Sequence, residues 1–227
     1  MSDFKKGISL SDFIFRTSDT EEDGMDMRKE AREKETVVFG NYAGQEIAWL
    51  VLAETDEKQL LISRDALDAR AYHDRQEPAT WENCSLREWL NEDFYREAFT
   101  DEERAKICLT EVCADDNPEW KVDPGSDTED HIFLLSIKEA EQYFDADGDR
   151  ICRPTQHALD QGAWYAVEPE DYEGVCNWWL RTPGYAPRSE GYLAAFVHFT
   201  GAIRTNGIGT YNHKEYCVRP AMWVKKE

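Results

Sequence analysis

Positive charge is scarce in this chain: 26 lysines and arginines stand against 47 aspartates and glutamates, a formal net charge of −21. A surface that acidic repels a phosphate backbone, which excludes a nonspecific nucleic-acid binder. Long apolar runs are missing as well. None approaches the roughly 20 residues a membrane-spanning helix needs, so no membrane partner is expected. No apolar stretch follows Lys5 and Lys6, so no signal peptide is read and the expected location is cytoplasmic. The usual chemical signatures are absent too. There is no C-x-x-C, which removes zinc-ribbon and thioredoxin readings, and no H-E-x-x-H, G-x-S-x-G or glycine-rich phosphate loop. Six cysteines occur, at 84, 108, 113, 152, 176 and 217. A chain of this size folds without disulfides, and free, mostly buried thiols in a reducing compartment are expected.

What the chain does have is aromatic mass, with eight Trp, ten Tyr and ten Phe to build a core. It also has uneven charge. Residues 176–227 carry seven Lys/Arg against three acids, so the rest of the chain holds more than the whole negative excess. Residues 1–35 read as a charged arm, flexible or helical, and residues 36–227 as the domain. Within that domain Val37–Gly40, Ile47–Leu52 and Gln59–Ile62 read as strands. The turns between them are too short for crossovers, so the strands form an antiparallel meander. Ser85–Glu88, Thr100–Glu103 and Ser136–Glu139 have the spacing of capping boxes that open helices. Residues 114–130 and 165–175 read as acidic loops, Ile132–Leu135 as a short buried strand, and Thr155–Gln161 as a helix stopped by Gly162. Strands return at 176–181, 193–199, 202–206 and 217–224. Strands, then helices, then strands define an α+β class.

Few constellations carry chemistry. Asp145, Asp147 and Asp149 resemble part of a calcium loop, but Gly148 falls fourth and Gln156 falls where the twelfth-position Glu belongs. An acidic turn is the preferred reading, with a low-affinity Ca²⁺ site at these three carboxylates as the alternative. No other cofactor is read. His198 is expected to be packed or half-exposed. In Trp178-Trp179-Leu180-Arg181, alternation sends the two indoles to opposite faces, one into the core and the other across it or along a groove. Arg181 and Arg219 are expected to meet a carboxylate or backbone carbonyls, because a lone buried guanidinium is costly. The alternative for them is anion binding at the sheet surface. The connection after 203 is rich in Tyr, Asn, His and Arg, a composition suited to recognition.

The pieces Ile47–Leu52, Thr80-Trp81, Ser85–Asn91, Phe133–Ser136, Arg153-Pro154-Thr155, Trp178–Arg181 and Val218–Ala221 together resemble a bacterial domain family of unknown function with a C-type-lectin-like fold. That resemblance implies antiparallel sheets with several short helices packed on them. The wider superfamily is similar to lectins, formylglycine-generating enzymes and retroelement-diversified variable proteins. The Trp-Asn-Asp and Glu-Pro-Asn motifs of calcium-dependent lectins are absent here. No second cysteine near Cys217 reproduces a formylglycine-generating site. The expected role is noncatalytic recognition of a protein, peptide or small ligand through the C-terminal sheet and its loops, by Arg188, Tyr192, Arg204, Asn206, Tyr211, Asn212 and His213. The alternative is an enzyme using Cys176, Cys217 or a metal.

Overall fold

The computed structural model describes residues 34–185 and 193–226. Nearly all of the arm read at 1–35 lies outside these residues, and so do Arg188 and Tyr192.

The first sheet starts as the meander its short turns require. Strands β1 (Thr36–Tyr42), β2 (Gln45–Glu54) and β3 (Lys58–Ser63) pair antiparallel in sequence order. Ala43 (φ 50°) and Gly44 (φ 81°) both take left-handed backbone in the β1–β2 turn, the geometry a two-residue hairpin needs to match strand twist. On β2, Ile47 and Trp49 point inward, and the Trp49 indole donates to Phe39 O at 2.7 Å. The last strand of the chain, β11 (Ala221–Lys225), adds antiparallel to β3. That makes β3 an interior strand, and Leu60, Leu61, Ile62 and Ser63 are all buried.

The second sheet has the order β4-β10-β7-β8-β9, formed by β4 (Asp68–Ala69), β7 (Trp178–Pro183), β8 (Leu193–Val197), β9 (Ile203–Gly209) and β10 (Cys217–Val218). Its pairs are antiparallel except β10 with β7. A two-stranded pair, β5 (Thr110–Val112) with β6 (Thr128–Asp130), lies beside the acidic loop. Among the described residues five short α-helices accompany the sheets: α1 (Ser85–Trp89), α2 (Tyr95–Ala98), α3 (Asp101–Lys106), α4 (Ile137–Tyr143) and α5 (Gln156–Asp160). A π turn over Leu90–Phe94 joins α1 to α2. The class is α+β, with largely antiparallel sheets and short helices.

Two capping boxes form as read. Glu103 N donates to Thr100 Oγ1 while Thr100 N donates to Glu103 Oε2, and Ser136 with Glu139 does the same. The third is corrected. Ser85 is already inside the helix, and its hydroxyl accepts from Asp74 N at 2.9 Å. The cap is Cys84, whose extended backbone ends the preceding coil and whose Sγ accepts from Arg87 N at 3.4 Å. Residues 132–135 are buried but form no strand, since only Phe133 bridges to Ala221. Residues 217–224 are two strands in two sheets. Arg219 and Pro220 make the corner between them, where Pro220 O accepts from Ser63 N at 2.9 Å.

That corner explains the C-terminal motifs. Trp178 and Trp179 are both fully buried, so neither lines a groove. Trp178 donates to Arg150 O, and Trp179 to Arg70 O. Arg219 is 1% exposed and donates to Ser63 O, Arg150 O and Arg64 O. Its guanidinium lies 5.0 Å from the Trp178 ring and 5.5 Å from that of Phe144. No carboxylate pairs with it among the described residues. Arg181 takes the other route. It binds Glu139 and Asp115 together with Leu134 O and Cys113 O. Burial of both guanidinium groups rules out the surface anion-binding alternative for these two arginines.

Candidate functional site

Segment 70–74 is the hub of an open cleft of about 460 Å³. On one side it holds the N-terminus of α1. Tyr72 O accepts from Leu86 N, His73 Nδ1 accepts from Ser85 N, and Asp74 N donates to Ser85 Oγ. With Nδ1 occupied by a donor, the His73 ring proton sits on Nε2, which faces Glu77 Oε1 at 3.3 Å. His73 is therefore a fastener. On the other side the hub holds the loop after β9, because Arg70 N donates to Tyr216 O and His73 N to Thr210 O. Trp164 N adds a third tie to Glu215 O at 3.0 Å. The loop that carries Lys214 is thus fixed at both ends over the cleft.

The floor is Arg70 on Trp89, with the guanidinium carbon 4.0 Å from the ring centroid. Behind it lies the fully buried Asp68, whose Oδ2 is 3.4 Å from Arg70 Nε. Asp68 is itself held by the Tyr42 hydroxyl at 2.7 Å and by Ala69 N at 2.7 Å, with His157 Nε2 at 3.6 Å. Burial, and next the hydrogen bond to Asp68, push the Tyr42 phenol well above its usual range, so it stays a donor. Stacking on Trp89 and the charge of Asp68 hold the guanidinium in place, while none of its nitrogens makes a hydrogen bond among the described residues. Glu88, Glu92 and Asp93 follow one face of α1 and the π turn, and Lys214 and Gln161 stand on the loop side. Neither Glu88 nor Lys214 has an ion-pair partner among the described residues. The cleft presents cations and carboxylates on separate elements over an aromatic floor.

Of the site residues read from sequence, those among the described residues do not line this cleft, and β9 lies at the opposite edge of the five-stranded sheet from β4. Arg204 and Asn206 sit two apart on β9, the edge strand, and both are exposed. Tyr211 and Asn212 are exposed in the pinned loop. His213 is half-buried, bound to Glu215 Oε1 at 2.7 Å and packed on Tyr216. Part of the β9 edge is covered, since Asn117 Nδ2 donates to Thr205 O and Pro183 O. Arg70, Asp68 and Trp89 escaped the sequence reading as a site. The available signal was an arginine and an aspartate inside the otherwise small-residue run Asp68-Ala69-Arg70-Ala71.

The other candidates resolve as follows. His198 is half-buried, and burial, then Arg204, hold it below the usual histidine range. Asp147 is bound by Arg150, and Asp149 Oδ2 accepts from Ala146 N. Among the described residues no three His, Cys, Asp or Glu side chains gather as a metal site. All six cysteines are free, and Cys84, Cys152, Cys176 and Cys217 are buried. Burial pushes the Cys152 and Cys176 thiols well above their usual range, the opposite of an activated nucleophile.

Residues 56–226 match the family described as a domain of unknown function, DUF6273. The chain belongs to that family. The match takes in the cleft and both C-terminal motifs but starts after β2, although β1 and β2 are part of the first sheet. No curated protein and no solved structure matches the chain. Among the described residues no helix is long and apolar enough to cross a membrane.

Proposed function

We propose that this chain is a noncatalytic recognition domain with a C-type-lectin-like arrangement. In this reading it takes a peptide or an amino-acid-like ligand in the cleft between α1 and the loop after β9. One observation carries it: Arg70 is stacked on Trp89 and backed by buried Asp68, with its outer nitrogens free in a preformed cleft. A fixed guanidinium suits a carboxylate, to which it can offer two parallel N–H donors. Lys214 supplies a second positive charge from the loop. Glu88, opposite, suits the ammonium of the same ligand. The role of the C-terminal loops is kept, with Lys214 at their contact point and Tyr211 and Asn212 at their rim. Six free thiols fit a reducing, cytoplasmic setting.

The test is calorimetric titration of the protein with free amino acids and dipeptides, beside their N-acetylated and C-amidated forms. A binder from this set should lose about tenfold or more in affinity on C-amidation, and the same in Arg70→Ala. No binder in the set, or a binder indifferent to Arg70→Ala, overturns the proposal.

A further inference from the structure

A second surface lies on the loop between α5 and β7. Its backbone is tied down: Ala163 N donates to Ala158 O, Ala166 N to Val175 O, Gly174 N to Ala166 O and Tyr172 N to Pro169 O. Ala163, Ala166 and Val175 turn inward and are buried. What they leave outside is apolar. Trp164 and Tyr165 are each 43% exposed and Val167 is 68% exposed. Trp164 lies 5.6 Å from the Phe199 ring, and Tyr172 meets the other part of Phe199 edge-on at 5.8 Å. A tied-down loop that keeps two large rings and a valine in water marks an interaction surface rather than a gap in the core.

Charge narrows the partner. The same loop carries Glu168, Glu170, Asp171 and Glu173, all exposed. None forms an ion pair among the described residues. Arg153, the cation that reaches this loop, donates to the Glu173 carbonyl rather than to a carboxylate. Elsewhere the chain pairs its acids readily, as Asp93 with Arg96 and Asp101 with Arg104 show. Four unpaired carboxylates beside exposed indole and phenol faces suit a flat cation, which stacks on the ring while its N–H groups meet the acids. A neutral sugar would gain nothing from those charges, and a nucleic acid would be repelled.

The geometry points to this aromatic and acidic loop, Trp164 to Glu173 with Phe199, as the docking site for an arginine-bearing basic segment of a partner protein. It adjoins the loop side of the Arg70 cleft, where Trp164 N donates to Glu215 O, and takes the opposite charge. The test uses the full chain and two fluorescent peptides of equal charge, Gly-Arg-Gly-Arg-Gly-Arg-Gly and its lysine counterpart, measured by anisotropy. The arginine peptide should bind several-fold tighter than the lysine peptide. The double variant Trp164→Ala/Tyr165→Ala should weaken it about tenfold. The triple variant Glu168→Gln/Glu170→Gln/Asp171→Asn, which leaves the rings in place, should also weaken it several-fold. The triple variant should keep the wild-type unfolding midpoint, because its three side chains are exposed and form no ion pair among the described residues. It therefore decides the question even if the ring variant, which loses the Trp164–Phe199 contact, is less stable. Neutralising Asp56 and Glu57 at the β2–β3 turn should leave binding within twofold. Equal loss in that control, or no loss in the ring variant, reduces the binding to bulk charge and overturns the proposal. Capture of a neutral oligosaccharide that depends on Trp164 overturns the partner class.

Discussion

Among the described residues two arginines lie over tryptophans, and they differ in what surrounds them. Arg219 on Trp178 is closed. It is 1% exposed, three carbonyls accept its donors, and it stands at the corner where the chain passes from one sheet to the other. Arg70 on Trp89 is open. Its side chain is 41% exposed, with a carboxylate behind it and free Nη atoms in front. The cation–ring pairing is the same in both, so what separates frame from site is whether the remaining donors are used. A satisfied guanidinium holds structure together, and an unsatisfied one at a cleft floor is available to a ligand.

The largest expected effect is at the closed end. Arg181→Met strips the half-buried Glu139 of its cation and leaves Asp115 only the exposed Lys138, and it should cost about 3–5 kcal/mol, read as a fall in urea midpoint at constant slope. Arg219→Ala takes a donor from the carbonyls of Ser63, Arg64 and Arg150, of which Arg150 O keeps the Trp178 indole, and opens space beside Trp178. A loss on the order of 3 kcal/mol is expected, and Arg219→Lys should recover only part, since one ammonium cannot reach the same acceptors in the plane.

A middle-sized effect lies at α3. Thr100→Ala removes a cap and should cost about 1 kcal/mol. Burial pulls the Glu103 carboxyl up, but donors from Thr100 N, the Thr100 hydroxyl and Gly40 N outweigh it and hold the group below the usual carboxylate range. A lowered native pKa means the contribution is complete above the unfolded pKa, near 4.3, and is lost as pH falls through the native value. Glu103→Gln should therefore flatten the acid limb of a stability–pH profile. A flat wild-type limb contradicts this account.

At the open end, Arg70→Ala should cost about 1 kcal/mol, because the buried Asp68 loses its cation but keeps the Tyr42 hydroxyl and Ala69 N as donors, while removing ligand binding. The smallest effect is chemical. A maleimide at neutral pH should label exposed Cys113 first and half-buried Cys108 next. Cys84, Cys152, Cys176 and Cys217 should react only on unfolding; the Cys84 thiol, for one, is pushed up to about 12 by burial. Early labelling of Cys176 or Cys217 would revive the cysteine-enzyme alternative.

What the sequence made legible was local. The β1–β2 hairpin, the Thr100 and Ser136 boxes and the α5 stop at Gly162 depend on residues a few positions apart. Ser85 misled because its spacing to Glu88 fits a cap, while the deciding fact is a distant donor, Asp74 N, that claims its hydroxyl. The 217–224 run misled because Arg219 and Pro220 look like interruptions within a strand, and only the position of Ser63 shows them to be a corner. Arg70 was invisible as a site because its meaning comes from Trp89, Asp68 and Tyr216, brought together by the fold. The motifs that stand out in the sequence, Trp178–Arg181 and Val218-Arg219-Pro220, turn out to be the frame.

The most direct test is urea unfolding of Arg219→Ala and Arg70→Ala measured side by side. The closed-and-open account predicts a loss on the order of 3 kcal/mol for the first and about 1 kcal/mol for the second. Equal losses, or a larger one at Arg70, would contradict it.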